Sequence, residues 1–465
     1  MNFARYCERI DGLSYLAGKM ELTGSRVRRY LMQMPFSTDR DLLETHFDIL
    51  QKAFEIISDQ KTKPVLMQLE HLFSRVHDIQ GTLVALKEKR ILDEVELFEI
   101  KYFAALCSDA EKLCRQAGFS YENMYPLQEV FHILDPDNTG TVSFYLYDSY
   151  SKTLALVRRQ VAEIDPDRDP TGWNQLQDII QKEELAVREK LSLQLSALYP
   201  ALQENFDRMA RMEIWFAKAK LALLYNMVRP VTVPGDQSGV LSLDGMVNPA
   251  IADHLENAGG TFQPVSVTLC AEPCLLTGAN MSGKTVVLKT LALIQALTQF
   301  SFFVPAQKAS IPLVKDVFLV IGDKQDQYRG LSSFAAEMLD LDRIMANMNA
   351  GTKMLVLADE PARTTNPAEG AAILCALVEY LEKHSVMSLI STHYGDLGLS
   401  CRKLRVAGFQ GNQVQGRLDP LRMNRYMNYS LIEDKGGSVP LEALNIARLL
   451  GVDGSFIDTA KKYLK

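Results

Sequence analysis

Residues Gly278 to Thr285 read G-A-N-M-S-G-K-T, between the apolar run Cys274-Leu275-Leu276 and the helical pattern VVLKTLALIQAL that follows. This loop constrains the chain more than any other stretch, because it fits G-x-x-x-x-G-K-[ST] and stands where that pattern must stand, between a strand and a helix. Glycines there let backbone N–H groups turn inward onto phosphate oxygens, and the helix N-terminus adds partial positive charge. Lys284 is placed to reach the β- and γ-phosphates and the Thr285 hydroxyl to ligate Mg²⁺. The expected nucleotide contacts are therefore Gly278, Ala279, Asn280, Met281, Ser282, Gly283, Lys284 and Thr285, with ATP and Mg²⁺ as the bound species. The plain alternative is an ordinary glycine turn before a helix.

Three further pieces belong with this loop. The run KMLVLADEP is an apolar strand ending in Asp359-Glu360; Asp359 suits a metal-holding role and Glu360 the orientation or deprotonation of an attacking water. Without the loop, an acidic pair in that position would read as a helix start. A second apolar strand, in ISTHYGDL, ends in His393, which is placed to approach a γ-phosphate; a lone histidine at a strand end is otherwise a polar terminus. GLSSFAAEM opens an amphipathic helix, and taken alone Ser332 or Ser333 is only its N-cap.

At 465 residues and 47% hydrophobic, the chain is too long for one compact core. From Leu13 to Leu134 apolar residues recur at helical spacing, as in DLLETHFDILQKAFEII. LDPDNTGTVSFYLYD, a turn cluster followed by a short β-prone stretch, and IDPDRDPTGW both read as loops. From Asn174 to Val228 runs one long helical pattern that only Pro200 interrupts, which predicts a turn or kink there. RPVTVPGDQSG is the clearest boundary, and beyond it strand-like runs alternate with helices as in a largely parallel α/β sheet. The expected class is α + α/β, divided at residues 1–230 and 231–465.

The formal charge of −7 offers no global field for a polyanion, so any nucleic-acid contact must be local. Arg26, Arg28 and Arg29 form the compact basic cluster near the N-terminus, with a solvated helix face as the alternative. Seven cysteines without CxxC spacing read as reduced core residues. The opening MNFARYCERIDG carries charge where a secretory signal needs an apolar run, and no uncharged stretch of about 18 residues is present, so a cytoplasmic protein without membrane association is expected.

Taken in order, TGANMSGKT, GLSSFAAEM, LADEPARTTNPAEG and STHYGDL resemble the phosphate loop, signature, acidic strand with its dimer loop, and histidine switch of the MutS family of ABC-type ATPases. LSYLAGKMELTGSRVRRYLMQMP resembles the start of that family's helical core domain, ARMEIWFAKAKLALL its lever helix returning to the ATPase, and NYSLIEDKGGSVPLEALNIARLLGV its closing helical segment. The resemblance implies a core/lever domain over 1–230 with a reduced clamp and a P-loop ATPase over 231–465. It also implies a homodimer, or a heterodimer with a related chain, in which Ser332 or Ser333 of one subunit completes the other's site. Phe262, 16 residues before Gly278, stands where family members stack an aromatic ring on adenine; a core phenylalanine beside a strand is the alternative.

The chain departs from the family's repair members in several places. It begins at the core domain, the stretch from Asn174 to Arg208 is short for a full clamp, and it ends soon after the ATPase. Ser282 replaces their usual glycine, and the ARTTNP loop differs from theirs, while DSYSKTLALVRRQVAEI and NPAEGAAI look closer to the second bacterial MutS lineage. Two functions follow from the resemblance. One is an ATP-hydrolysing switch directed at DNA in repair or recombination. The other is a reactivating factor for a cobalamin-dependent amino-acid mutase of the lysine aminomutase type, directed at protein. A nucleotide-binding scaffold with little turnover is disfavoured by the joint presence of Lys284, Thr285, Asp359, Glu360 and His393.

Overall fold

The computed structural model describes residues 1–233, 239–279, 282–321, 333–394, 397–410, 425–434 and 442–463. The chain forms two compact units that are not contiguous halves. One comprises Met1–Met20, Gln33–Gln51 and Lys220–Lys465, and the other Glu21–Met32 and Lys52–Ala219. Among the described residues no helix is long and apolar enough to cross a membrane.

The second unit is helical, as the 3.6-residue spacing predicts. Its helix Glu94–Ala117 shows how local sequence sets the ends. Asp93 accepts from the Glu96 backbone N–H, the Glu96 side chain accepts in return from the Asp93 N–H, and Gly118 closes the helix at φ 74°. The long pattern after Asn174 resolves into helices Pro170–Ser196 and Tyr199–Leu224, broken at the two residues between them. Pro200 lies in the first turn of the second helix, where its missing N–H leaves no bond unmade.

The stretch after Leu134 is a loop, as expected, and its β-prone residues Val142 to Tyr147 form no strand; side chains organise its neighbourhood. Asp135 accepts from the Thr139 hydroxyl at 2.8 Å, the Gly140 N–H at 2.9 Å and the Tyr147 hydroxyl at 3.2 Å, while the fully buried Lys101 ammonium lies 3.7 Å away and donates to the Ser143 carbonyl. Of the three arginines, Arg28 and Arg29 lie on a solvated helix face and Arg26 does not. Arg26 donates to the Phe206 carbonyl and its guanidinium sits 4.3 Å from the Phe206 ring centre, Arg29 pairs with Asp78 at 3.4 Å, and Arg28 is exposed.

The Asp135 site carries a pH prediction. Burial alone would raise its carboxyl, but the Thr139 and Gly140 hydrogen bonds, together with Lys101, hold it at about 2. A carboxyl depressed below its unfolded value of about 3.9 stabilises the fold fully above that pH and loses its contribution as pH falls toward 2. Asp135→Asn is expected to flatten this acid limb in thermal melts between about pH 4 and 2. At neutral pH the same change leaves Lys101 buried without its counter-charge, a loss on the order of 3–5 kcal/mol. Unchanged melting at both pH values would refute the assignment.

The first unit carries the sheets. Strands β1 (Val231–Val233), β2 (Leu241–Met246), β3 (Val265–Leu269) and β5 (Lys308–Pro312) form a mixed four-stranded sheet in the order β1-β5-β2-β3. A six-stranded sheet is built from β4 (Pro273–Thr277), β6 (Asp316–Ile321), β7 (Met354–Asp359), β8 (Met387–Ser391), β9 (Arg402–Phe409) and β10 (Met427–Glu433), in the order β10-β9-β4-β8-β7-β6. All its pairings are parallel except β10 with β9. Every residue of β8 is buried, as is β7 up to Ala358, which is why these strands read as continuous apolar runs rather than alternation. Val356, Ala358 and Ile390 share a core with Leu341 and Ile344 of helix Ser333–Asn349 and with Leu374 and Leu381 of helix Pro367–Lys383. Period-two geometry sends Leu355 and Leu357 to the opposite face, where they too are fully buried.

The segment after Met427 is not helical at its start. Met427–Glu433 is the edge strand β10, and the closing helix begins only at Glu442. Pairing with β9, interrupted by a register shift between Asn428 and Leu431, decides the local structure there. The first twenty residues also join this unit. Phe3 and Tyr6 pack on Phe300, Tyr6 donates to Asp316 at 2.7 Å, and Arg9 pairs with the same carboxylate at 3.0 Å. Of the cysteines, Cys107, Cys114 and Cys274 are buried, and the other four are half-buried rather than core. Burial pushes the Cys114 and Cys274 thiols up to about 12.

Candidate functional site

Parallel pairing aligns the C-terminal ends of the central strands, and there the sequence-predicted residues meet. Leu276 of β4 is in register with Ser391 of β8, and Ser391 with Asp359 of β7. The loop leaving β4 therefore opens beside both strand ends, the usual ligand edge of an open α/β sheet.

Gly278 has φ 149° and Gly283 φ 84°, conformations that side chains disfavour. A Cβ on Gly278 would lie 2.9 Å from the Ser282 hydroxyl, and one on Gly283 would lie 3.0 Å from the Tyr429 ring. Gly283 caps the helix Lys284–Gln299, whose N-terminus faces the loop. Lys284 is nearly fully buried and donates to the Gly278 and Ala279 carbonyls at 2.8 and 3.2 Å. Thr285 donates to Asp359 Oδ2 at 2.5 Å, and Ser391 donates to the other Asp359 oxygen. Asn280 and Met281 lie outside the described residues.

Glu360 is the centre of the charge arrangement. Its carboxylate lies 3.6 Å from the Lys284 ammonium, 3.3 Å from Arg363 and 3.7 Å from His393 Nδ1, with its side chain 12% exposed. Its own N–H donates to the Ser391 carbonyl and hydroxyl at 3.2 and 3.0 Å. Glu360 at φ 46° and Ala362 at φ 60° both occupy the left-handed region, at roughly 1–2 kcal/mol each for a non-glycine residue. Two such residues in three mark a turn held by its surroundings.

The remaining candidates are placed unequally. Phe262 is half-buried on the segment before β3, and its neighbour Gln263 accepts from the Tyr429 N–H at 2.9 Å and donates to Asn428 and Ser430. That segment is thus tied to β10, whose Tyr429 ring lies against Gly283. Ser332 lies outside the described residues, as does the Ser333 side chain, although Ser333 opens helix Ser333–Asn349. Sequence reasoning missed Ser391, Arg363 and Tyr429. The ARTTNP stretch was noted without Arg363 being singled out, Ser391 stood two residues before the histidine, and Tyr429 became visible only when β10 folded back across the loop.

Residues 274–465, which contain the glycine loop, both acidic residues and His393, match the family model for MutS domain V. Residues 274–465 thus belong to the MutS domain V family. A DNA mismatch repair protein MutS from Bacteroides fragilis (strain YCH46) is 27% identical over 66% of this chain and 38% of its own length. An Endonuclease MutS2 from Clostridium botulinum (strain 657 / Type Ba4) is 28% identical over 74% of this chain and 42% of its own length. Another, from Caldanaerobacter subterraneus subsp. tengcongensis, is 28% identical over 63% and 35%. The chain thus spans about two fifths or less of the length of these curated relatives.

Proposed function

We propose that this MutS-family chain binds ATP with Mg²⁺ on the P-loop Gly278 to Thr285, hydrolyses it, and uses the cycle as an ABC-type switch acting on DNA in repair or recombination. One observation carries the reading: the Thr285–Asp359 hydrogen bond at 2.5 Å, formed beside the Lys284–Glu360–His393 group at one edge of the sheet. It sets two hard oxygen ligands side by side where a helix N-terminus and a lysine await phosphate.

The donor set fits magnesium. Among the described residues no cluster of three His, Cys, Asp or Glu residues is built to hold a metal. An ion that keeps most of its waters and takes only one or two protein oxygens plus phosphate suits Thr285 and Asp359. When bound, magnesium supplies charge neutralisation for the β- and γ-phosphates. The residues do the rest. Loop N–H groups and Lys284 hold the phosphates, Glu360 orients the attacking water and takes its proton, and His393 approaches the γ-phosphate. Phe262 and Tyr429, on segments tied by the Gln263 hydrogen bond to the Tyr429 N–H, supply aromatic faces for the base. Ser332 or Ser333 of a partner, in a homodimer or a heterodimer with a related chain, completes the site. Residues 1–230 serve as the core/lever that the cycle moves, and 231–465 as the ATPase.

The DNA-directed reading is supported by the relatives, which are named for mismatch repair and as endonucleases. No observation on this chain favours a mutase partner. The test is the steady-state ATPase rate alone and with duplex or branched DNA at low salt. Stimulation that fades as salt is added is the expected result, because phosphate contacts release counterions. Hydrolysis without stimulation, and without DNA retention at low salt, would overturn the DNA assignment while leaving the ATPase in place.

A further inference from the structure

We propose that Glu337 is a positioning residue that fixes the Glu360 carboxylate through the turn at Ala362. The inference rests on the ATPase reading above and names a group that reading does not use.

Glu337 lies on helix Ser333–Asn349 with 6% of its surface exposed, and its Oε1 accepts from the Ala362 backbone N–H at 2.8 Å. A carboxylate aimed at a single backbone amide inside a protein is a costly arrangement, and burial raises the Glu337 carboxyl accordingly. The amide it holds is two residues past Glu360, in the segment where Glu360 and Ala362 both have positive φ. Ala362 is fully buried, and the opposite side of its turn is closed by Gly370, where a Cβ would meet the Ala362 carbonyl at 2.9 Å and the Tyr394 hydroxyl. Tyr394 in turn carries its ring 4.5 Å from that of His393. The turn is therefore gripped by Glu337 on one side and by Gly370 and Tyr394 on the other, with Glu360 and His393 held 3.7 Å apart at its mouth. An unfavourable backbone conformation persists when its surroundings over-determine it, and a catalytic carboxylate needs this precision.

Glu337 also belongs to the helix that begins at Ser333, directly after the stretch the family resemblance gives to the partner's nucleotide. A shift of that helix reaches Glu360 through one hydrogen bond.

The experiment compares Glu337→Ala, Glu337→Gln and Gly370→Ala in the full chain, reading kcat, KM and the affinity for a fluorescent ATP analogue with magnesium. Glu337→Ala is expected to lower kcat by about ten-fold or more, since small misplacements of a reacting group cost one to two orders of magnitude, with nucleotide affinity unchanged. Glu337→Gln keeps an acceptor oxygen for the Ala362 N–H and should retain most of the rate. Gly370→Ala pushes on the turn from the other side and should reproduce the kcat loss, which keeps the test open should Glu337→Ala fail to fold. Wild-type kcat in Gly370→Ala together with either wild-type kcat in Glu337→Ala or its failure to fold overturns the proposal, as does loss of affinity in step with kcat. An inactive wild-type chain instead strikes the ATPase reading, and is recognised before any variant is made.

Discussion

Lys284→Ala is expected to raise the dissociation constant for ATP–Mg²⁺ by roughly 100-fold or more, the magnitude that follows from removing a buried charged partner of a phosphate. The side chain is 5% exposed and its ammonium has no bulk water to compete with, so each hydrogen bond it makes is charge-assisted in a low-dielectric setting. Its three donors also satisfy the Gly278 and Ala279 carbonyls and offset the Glu360 carboxylate. The substitution therefore removes a phosphate ligand and leaves a negative charge facing the incoming phosphates. Equilibrium titration with a fluorescent ATP analogue reads this directly. Retained affinity would mean that the loop does not hold nucleotide in the manner proposed.

Glu360→Gln should separate binding from turnover. The amide preserves the shape of the side chain, whereas the capacity to take a proton from water is lost, a step that contributes on the order of 10²–10⁴-fold. The Lys284 and Arg363 cations flank this carboxylate, so neutralising it leaves local positive charge that favours the bound phosphates. The expected outcome is an ATP affinity equal to or tighter than wild type, kcat reduced by about 100-fold or more, and accumulation of the ATP-bound dimer on size-exclusion chromatography. Hydrolysis at the wild-type rate would assign the water to another residue.

The strand ends around this site were legible because chemistry and periodicity agree there. Lys284, Thr285, Asp359, Glu360 and His393 each terminate an apolar run or open a helical one, and parallel pairing leaves them little choice but to converge. What escaped reading depends on contacts distant in sequence. Met427–Glu433 alternates too weakly to announce a strand, and only pairing with β9 makes it one. Arg26 looked like a surface charge because composition cannot reveal that Phe206, 180 residues away, will supply a ring for it to lie on. Glu337 was quoted within an amphipathic helix start and passed over, since nothing local distinguishes a glutamate that grips a remote amide from one that faces solvent.

The anchoring of the first helix beneath β6 bears on how this protein can be dissected. Phe3, Tyr6 and Arg9 sit against Phe300 and Asp316, more than three hundred positions away in the case of the aspartate. A fragment cut at residue 231 to isolate the sheets would lose this wedge, bare an aromatic socket at Phe300 and Phe302, and strip Asp316 of both its hydroxyl and its guanidinium. The amino-terminal strap therefore behaves as a keystone of the sheet-bearing unit, and a faithful minimal version of that unit must keep it, either in place or supplied as a separate peptide.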